Sequence, residues 1–158
     1  MKAVYFDNAA TTPVRTEVIK SIQTALENCF GNPSSTHSFG RTAKTAVEQA
    51  RKTIAATLGA HPSEIIFTSG GTEADNMVLK CAVRDLGVKH IVTTTMEHHA
   101  VLHTVDELVA FNGVTPHYVA VDANGNPDLL DLEKILSGLN DKVLVSLMHI
   151  NNEIGNIL

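Results

Sequence analysis

A glycine-rich turn, a histidine pair and an asparagine pair are the segments of this sequence whose residue types could do chemistry. The turn at residues 68–73 reads TSGGTE. Its two glycines let the backbone approach a ligand closely, and a helix that begins at Thr72 would present free N–H groups and its positive dipole end to an anion. The turn therefore predicts a site for one phosphate group, with a plain strand-to-helix turn capped by Thr72 as the alternative.

The histidine pair lies at positions 98 and 99. A histidine at the end of a strand can transfer protons near neutral pH or stack on an aromatic ligand. A surface histidine that only caps the next helix would give the same pattern. His99 and His103 also have the spacing of two metal ligands on one helix, but the sequence offers no carboxylate or cysteine cluster to complete a zinc set. We therefore expect no metal site.

The asparagine pair, Asn151 and Asn152, follows the apolar run at residues 143–148. Side-chain amides at the end of a buried strand can donate hydrogen bonds to a carboxylate or phenolate oxygen. Asparagine also favours turns, so the pair could simply end the strand.

The elements that must position these segments alternate along the chain. Two amphipathic helices are predicted first, one from residue 12 and one at 43–58. Strands are then predicted at 65–68, 90–95, 114–121 and 143–150, and helices at 72–86, 99–111 and 129–139. This order predicts a parallel sheet with helices on both faces, and ligands bind at the carboxyl ends of the strands in such sheets. All three chemical segments fall at those ends.

Composition and charge exclude several classes of function. The 158 residues carry a formal net charge of -5 and contain no cluster of Lys and Arg, which argues against nucleic acid as a partner. No apolar run approaches the ~20 residues that span a bilayer, so we expect no membrane association. The sequence start does not look like a signal peptide. Two cysteines make no disulfide framework, and we expect a cytoplasmic location.

Five ordered motifs resemble those of the NifS/IscS-type cysteine desulfurases, within the class V aminotransferase group. They are YFDNAATT at 5–12, GNPSS at 31–35 followed by His37 and Gly40-Arg41, FTSGGTEADN at 67–76, Glu97-His98 followed by AVL at 100–102, and HINNEIG at 149–155. The resemblance covers essentially the whole chain. One departure is His99, where a lysine is common in relatives.

The resemblance implies a fold and a domain organisation. The fold is α/β, a three-layer sandwich with a mainly parallel sheet, as in the large domain of the fold type I enzymes that use pyridoxal phosphate (PLP). Residues 14–158 would form the N-terminal part of that PLP-binding domain. Residues 1–13 would form an arm that joins the small domain of the full enzyme.

The resemblance also implies a function. Cysteine desulfurases are homodimers that use PLP to convert L-cysteine to L-alanine, and they pass the sulfur through a cysteine persulfide to an acceptor protein. Carried over by position, Gly71 and Thr72 would hold the PLP phosphate. His98 would stack on the pyridine ring and act catalytically in proton transfer, and Asn152 would lie near the cofactor and the substrate carboxylate.

The family's Schiff-base lysine, the aspartate that pairs with the pyridine nitrogen, the carboxylate-binding arginine and the persulfide cysteine have no counterpart in these 158 residues. We therefore expect the full-length protein to be active and this chain alone to be inactive, with PLP absent or weakly bound. Exposed apolar surface would make the chain self-associate. A selenocysteine lyase, another class V aminotransferase relative and a non-catalytic module remain as alternatives.

Overall fold

Residues 3–158 are described by a computed structural model, in which the chain divides after Phe67 into an amino-terminal and a carboxy-terminal unit. The amino-terminal unit contains α1 (Thr16–Asn28), α2 (Ser38–Leu58) and one turn of 3-10 helix (Pro62–Glu64). α2 begins at Ser38 rather than at residue 43. The reason is a cap, because the Nδ1 atom of His37 accepts the N–H of Gly40 at 3.3 Å.

The GNPSS loop packs directly against the first turn of α2. Gly40 is buried, and a Cβ atom at this position would collide with the carbonyl oxygens of Ser35 and Asn32. The loop itself is closed by the N–H of Ser35, which donates to the Asn32 carbonyl at 2.9 Å. Glycine at position 40 is therefore required by close backbone packing.

The carboxy-terminal unit alternates helices with strands. Its described residues form α3 (Gly71–Leu86), β1 (His90–Thr93), α4 (His99–Asn112), β2 (Thr115–Tyr118), α5 (Leu129–Ser137) and β3 (Val143–Val145). The strands make a parallel sheet in the order β2-β1-β3, with Ile91 of β1 opposite Pro116 on one side and Leu144 on the other. The predicted α/β fold with a parallel sheet is confirmed.

The core of this unit lies where α3 and α4 cover the central strand. Ile91 and Val92 are both completely buried. Because successive residues of a strand point to opposite faces, both faces of β1 are covered. The buried apolar cluster around Ile91 comprises Leu79, Ala82, Val88, Val101, Val105, Leu108 and Val114.

Two strand predictions are wrong in whole or in part. Residues 65–68 form no strand, and Ile66 and Phe67 are exposed. The carbonyl oxygen of Ile65 accepts a hydrogen bond from the Arg51 guanidinium rather than from the backbone of a neighbouring strand. The strand predicted at 143–150 ends at Val145, which is 41% exposed, and β3 is an edge strand in the described sheet. The apolar run marked the strand but could not show that it lies at an edge.

The remaining boundaries differ by smaller amounts. α1 begins at Thr16 rather than at residue 12, β1 ends at Thr93 rather than at residue 95, and β2 spans Thr115–Tyr118 rather than 114–121. The division into an arm at 1–13 and a domain at 14–158 stays a prediction. Within residues 3–158, no helix has both the length and the hydropathy needed to cross a membrane.

Candidate functional site

The glycine turn leads directly into α3. The first backbone N–H that finds an acceptor inside the helix is that of Ala74, which donates to the Gly70 carbonyl at 3.1 Å. The N–H groups of Gly71, Thr72 and Glu73 come before this bond and have no place in the helical pattern. They therefore form a group of donors at the positive end of the helix dipole, which suits an anion.

The shape of the turn is set by a side chain that reaches back to it. The Glu73 carboxylate accepts hydrogen bonds from the backbone N–H of Ser69 at 2.6 Å and from its hydroxyl at 2.7 Å. These two bonds hold the pKa of Glu73 below its ordinary value. The carboxylate thus fixes Ser69 and leaves the N–H groups of the next two residues, Gly70 and Gly71, to other partners.

Nothing in the described chain requires glycine at positions 70 and 71. Gly70 has a φ of 171°, which any residue adopts, and Gly71 is the first residue of α3. Apart from the adjoining residues and the backbone of α3 itself, a Cβ atom at either position would meet no described atom within 4 Å. Two glycines that neither backbone strain nor packing explains are the expected signature of a ligand that comes close to the backbone.

His98 is the N-cap of α4, as the alternative interpretation predicted, but only one of its two ring nitrogen atoms makes the cap. Nδ1 accepts the backbone N–H of Ala100 at 3.1 Å. A nitrogen that accepts a hydrogen bond carries no proton, so the proton of the neutral ring belongs on Nε2. The ring is exposed, and its Nε2 edge is not used by the cap. Capping therefore orients the imidazole rather than competing with a role in chemistry.

The neighbouring histidines show the spacing predicted for a helix pair. The rings of His99 and His103 lie 5.1 Å apart, and the His99 ring is 6.4 Å from the His98 ring. Across residues 3–158, no group of three or more His, Cys, Asp or Glu residues is arranged to hold a metal ion.

Asn152 lies in a tight turn that Asn151 shapes. The Oδ1 atom of Asn151 accepts the N–H groups of Glu153 at 2.9 Å and Ile154 at 3.2 Å. The N–H of Gly155 closes the turn on the Asn151 carbonyl at 2.8 Å. Asn152 is exposed on this turn, and its Nδ2 atom lies 3.4 Å from a Glu153 carboxylate oxygen.

Hydrogen bonds between loops bring these segments to neighbouring positions. The amide of Asn76 donates to the carbonyl of Thr72 at 2.9 Å and to that of Ala100 at 3.5 Å, and so joins the first turns of α3 and α4. The Nδ2 atom of Asn151 donates to the Met96 carbonyl at 3.1 Å. The glycine turn (residues 68–73), the His98 loop (94–98) and the Asn152 turn (151–155) are thus connected in series. The last two follow β1 and β3, whereas the glycine turn follows no strand among the described residues.

Glu97 makes a second connection between the His98 loop and the chain after β3. It is only 8% exposed, and its Oε1 atom accepts the backbone N–H of Met148. Burial raises the pKa of Glu97 above its ordinary value, although the N–H groups of Met148 and His98 act in the opposite direction.

The sequence alone did not predict an individual role for the three connecting residues, Asn76, Glu97 and Asn151. The signal was present for two of them, because Asn76 lies one helical turn after Thr72 and Glu97 is an acidic residue directly beside a loop histidine. Only the coordinates show that Asn151 faces the Met96 carbonyl.

The enclosed space nearby is too small for a cofactor. A cavity of about 30 Å³ lies among Thr94, Met96, Leu147, Met148 and Asn151, which is room for a water molecule or two. Gly71, Thr72, His98 and Asn152 do not line it. The predicted ligand groups instead lie exposed at the edge of the unit.

Comparisons with known proteins cover almost the whole chain. Residues 4–158 match the aminotransferase class-V family. Over 99% of its length the chain is similar to two curated relatives: it is 48% identical to a cysteine desulfurase IscS of Dictyoglomus turgidum, covering 39% of that protein, and 48% identical to a cysteine desulfurase IscS of Methanosarcina thermophila, covering 38%.

Solved structures show the same likeness. A NifS-like protein matches with a TM-score of 0.89 and 41% identity, covering 98% of this chain and 42% of its own. A structure described as SspA in complex with cysteine matches with a TM-score of 0.85 and 36% identity, covering 97% of this chain and 44% of its own. The chain spans about two fifths of the length of the relatives it matches.

Proposed function

Because the chain belongs to the aminotransferase class-V family, we propose that it forms the amino-terminal part of a PLP-dependent cysteine desulfurase. The complete protein would take sulfur from L-cysteine, release L-alanine and pass the sulfur through a cysteine persulfide to an acceptor protein. The curated relatives with this activity in their names support the proposal, as does the similar structure that is described as a complex with cysteine.

The observation that carries the proposal is the pair of glycines that the chain itself does not need. Gly70 and Gly71 adopt conformations open to any residue and have free space around them, yet they lie where α3 presents its unpaired N–H groups. A phosphate monoester would accept hydrogen bonds from Gly71, Thr72 and the Thr72 hydroxyl, with the helix dipole favouring its charge. The donor set therefore fits the phosphate of PLP.

The other predicted residues fit the rest of the cofactor. When bound, PLP supplies an electron sink for bonds broken at the substrate. His98 would lie against the pyridine ring and hold or release a proton at Nε2, since its Nδ1 is committed to the helix cap. Asn152 would donate its amide to the cofactor or to the substrate carboxylate.

The remaining parts of the proposal concern the complete protein. We expect the lysine that binds the cofactor and the cysteine that receives the sulfur to lie outside these 158 residues, so that this chain alone is inactive. We also expect a cytoplasmic homodimer. Apolar side chains on α1 are consistent with association, because Ile19, Ile22 and Leu26 are all more than half exposed.

The test is to produce the full-length protein and to measure PLP binding and the products from L-cysteine. We expect a visible absorption band from bound PLP and the release of one alanine per sulfur transferred. L-Selenocysteine serves as the parallel substrate, because a strong preference for it would favour a selenocysteine lyase. A folded full-length protein that neither binds PLP nor releases alanine would refute the proposal.

A further inference from the structure

We propose that Glu97 and Asn151 are positioning residues, which together hold His98 and Asn152 in a fixed relation to each other. Neither residue is assigned a contact with the cofactor. This inference rests on the proposed function, because it concerns how two residues of the proposed PLP site are held. Two hydrogen bonds connect the His98 loop with the chain after β3.

Each positioning residue is the immediate neighbour of a residue in the proposed site and reaches across to the other segment. Glu97 precedes His98, and its carboxylate accepts the N–H of Met148 in the chain after β3. Asn151 precedes Asn152, and its amide donates to the Met96 carbonyl in the His98 loop at 3.1 Å. The two side chains reach across in opposite directions, although in both bonds the chain after β3 supplies the donor and the His98 loop the acceptor. Together the bonds fix both the separation and the register of the two segments.

The chemistry of Glu97 favours a positioning role over a surface role. Burying a carboxylate to 8% exposure costs free energy unless its oxygen atoms accept hydrogen bonds. Here the Oε1 atom accepts the N–H of Met148 in the chain after β3. Withdrawal of the His98 loop from that chain would break this bond.

The chemistry of Asn151 allows its two functions to be separated. Its Oδ1 atom shapes the turn that carries Asn152, whereas its Nδ2 atom binds the His98 loop. Asn151→Asp keeps an acceptor for the turn and removes the donor to Met96. The variant would also place a negative oxygen beside the carbonyl oxygen of Met96.

Asn156→Asp provides the matched control. Asn156 belongs to the same segment after β3 and also uses Nδ2 as a donor, to the Asn124 carbonyl and to Asn126 Oδ1. Those partners lie in the turn between β2 and α5, which carries none of the predicted PLP ligands. The control therefore makes the same chemical change in the same segment without touching the connection to His98.

The experiment uses the full-length protein saturated with PLP and measures the visible circular dichroism per bound cofactor together with kcat and KM for L-cysteine. Circular dichroism reports how the protein orients the ring, which a loss of stability alone does not change at saturation. We expect Asn151→Asp to weaken this signal and to lower kcat by roughly tenfold, as loss of orientation does, with a smaller change in KM. Asn156→Asp should stay within about twofold of the wild type, because the orientation of the reacting groups is kept.

Glu97→Gln and Glu97→Ala provide an independent measurement if Asn151→Asp does not fold. Glutamine keeps an oxygen acceptor for the Met148 N–H, so Glu97→Gln should retain most of the dichroic signal that Glu97→Ala loses. The inference is overturned if the wild type is active but Asn151→Asp and Asn156→Asp change the dichroic signal and kcat equally. It is also overturned if Glu97→Gln and Glu97→Ala change the dichroic signal equally. A wild type without bound PLP or alanine release overturns the proposed function, and the inference with it.

Discussion

The Nδ1 atom of His98 accepts the backbone N–H of Ala100 at 3.1 Å. One imidazole thus caps α4 through Nδ1 and leaves Nε2 outside the cap, in the loop that follows β1. The capping role and the proposed role in proton transfer use different nitrogen atoms of the same ring. They can therefore be separated by a side chain that caps as well but has no ring.

Asparagine is such a side chain, so we predict opposite outcomes for stability and activity in His98→Asn. Asparagine is among the best N-cap residues, and replacing a good N-cap residue with alanine lowers the stability of a protein by about 0.5–2 kcal/mol. We expect His98→Asn to keep the thermal midpoint of the full-length protein, whereas His98→Ala lowers it. Both variants should lose most desulfurase activity. A fully active His98→Asn would show that the residue is only a cap.

The fold was largely predictable because its signals are local. The alternation of apolar segments predicted α3 and α4, and the structure ends both helices at a glycine in the left-handed conformation, Gly87 and Gly113. The error at residues 65–68 has a non-local cause. An apolar run shows that a segment could pair, but Arg51, 14 positions earlier in the chain, takes the Ile65 carbonyl.

The candidate site was predictable as residue types but not as a connected arrangement. The glycine turn, His98 and Asn152 are each visible as polar segments that follow apolar runs. Their connections depend on hydrogen bonds between residues far apart in sequence, such as Asn151 with Met96 and Glu97 with Met148. Such contacts leave no periodic pattern, so sequence spacing could not reveal them.

The glycine turn leads to a prediction in which stability and cofactor binding change in opposite directions. Gly71→Ala places a methyl group in free space at the first residue of α3. Alanine is favoured over glycine within a helix by roughly 0.5–1 kcal/mol, so the variant should be as stable as the wild type or slightly more stable. The methyl group would obstruct the close approach of phosphate, and PLP should bind more weakly. Thermal denaturation without PLP and a PLP titration measure the two effects.

Gly40→Ala is the control for this prediction. A Cβ atom at residue 40 would collide with the carbonyl oxygens of Ser35 and Asn32, so the variant should be less stable while making no change at the glycine turn. If Gly71→Ala also proved less stable and bound PLP normally, the two glycines would serve the fold and not a ligand.

Glu97 leads to a prediction about the dependence of stability on pH. Burial raises its pKa in the folded protein above the ordinary value of 4.5. Between these two values the folded state binds more protons than the unfolded state, so the contribution of Glu97 to stability falls as the pH rises through this window. Above the raised pKa the carboxylate is ionised in both states, and the contribution stays constant at its lowest level.

Glu97→Gln removes this titration while keeping an acceptor for the Met148 N–H. We therefore expect the stability of the wild type relative to Glu97→Gln to decrease as the pH rises from about 4.5, the ordinary pKa, and then to level off. Urea denaturation of both proteins at several pH values between 4 and 8, roughly the range in which a buried glutamate titrates, measures the difference. The contribution of Glu73 to stability changes with pH in the opposite direction. Hydrogen bonds from Ser69 lower the pKa of Glu73, so this contribution is lost as the pH falls. A wild-type curve parallel to that of Glu97→Gln would mean that the buried carboxylate titrates normally, and burial would then not govern this residue.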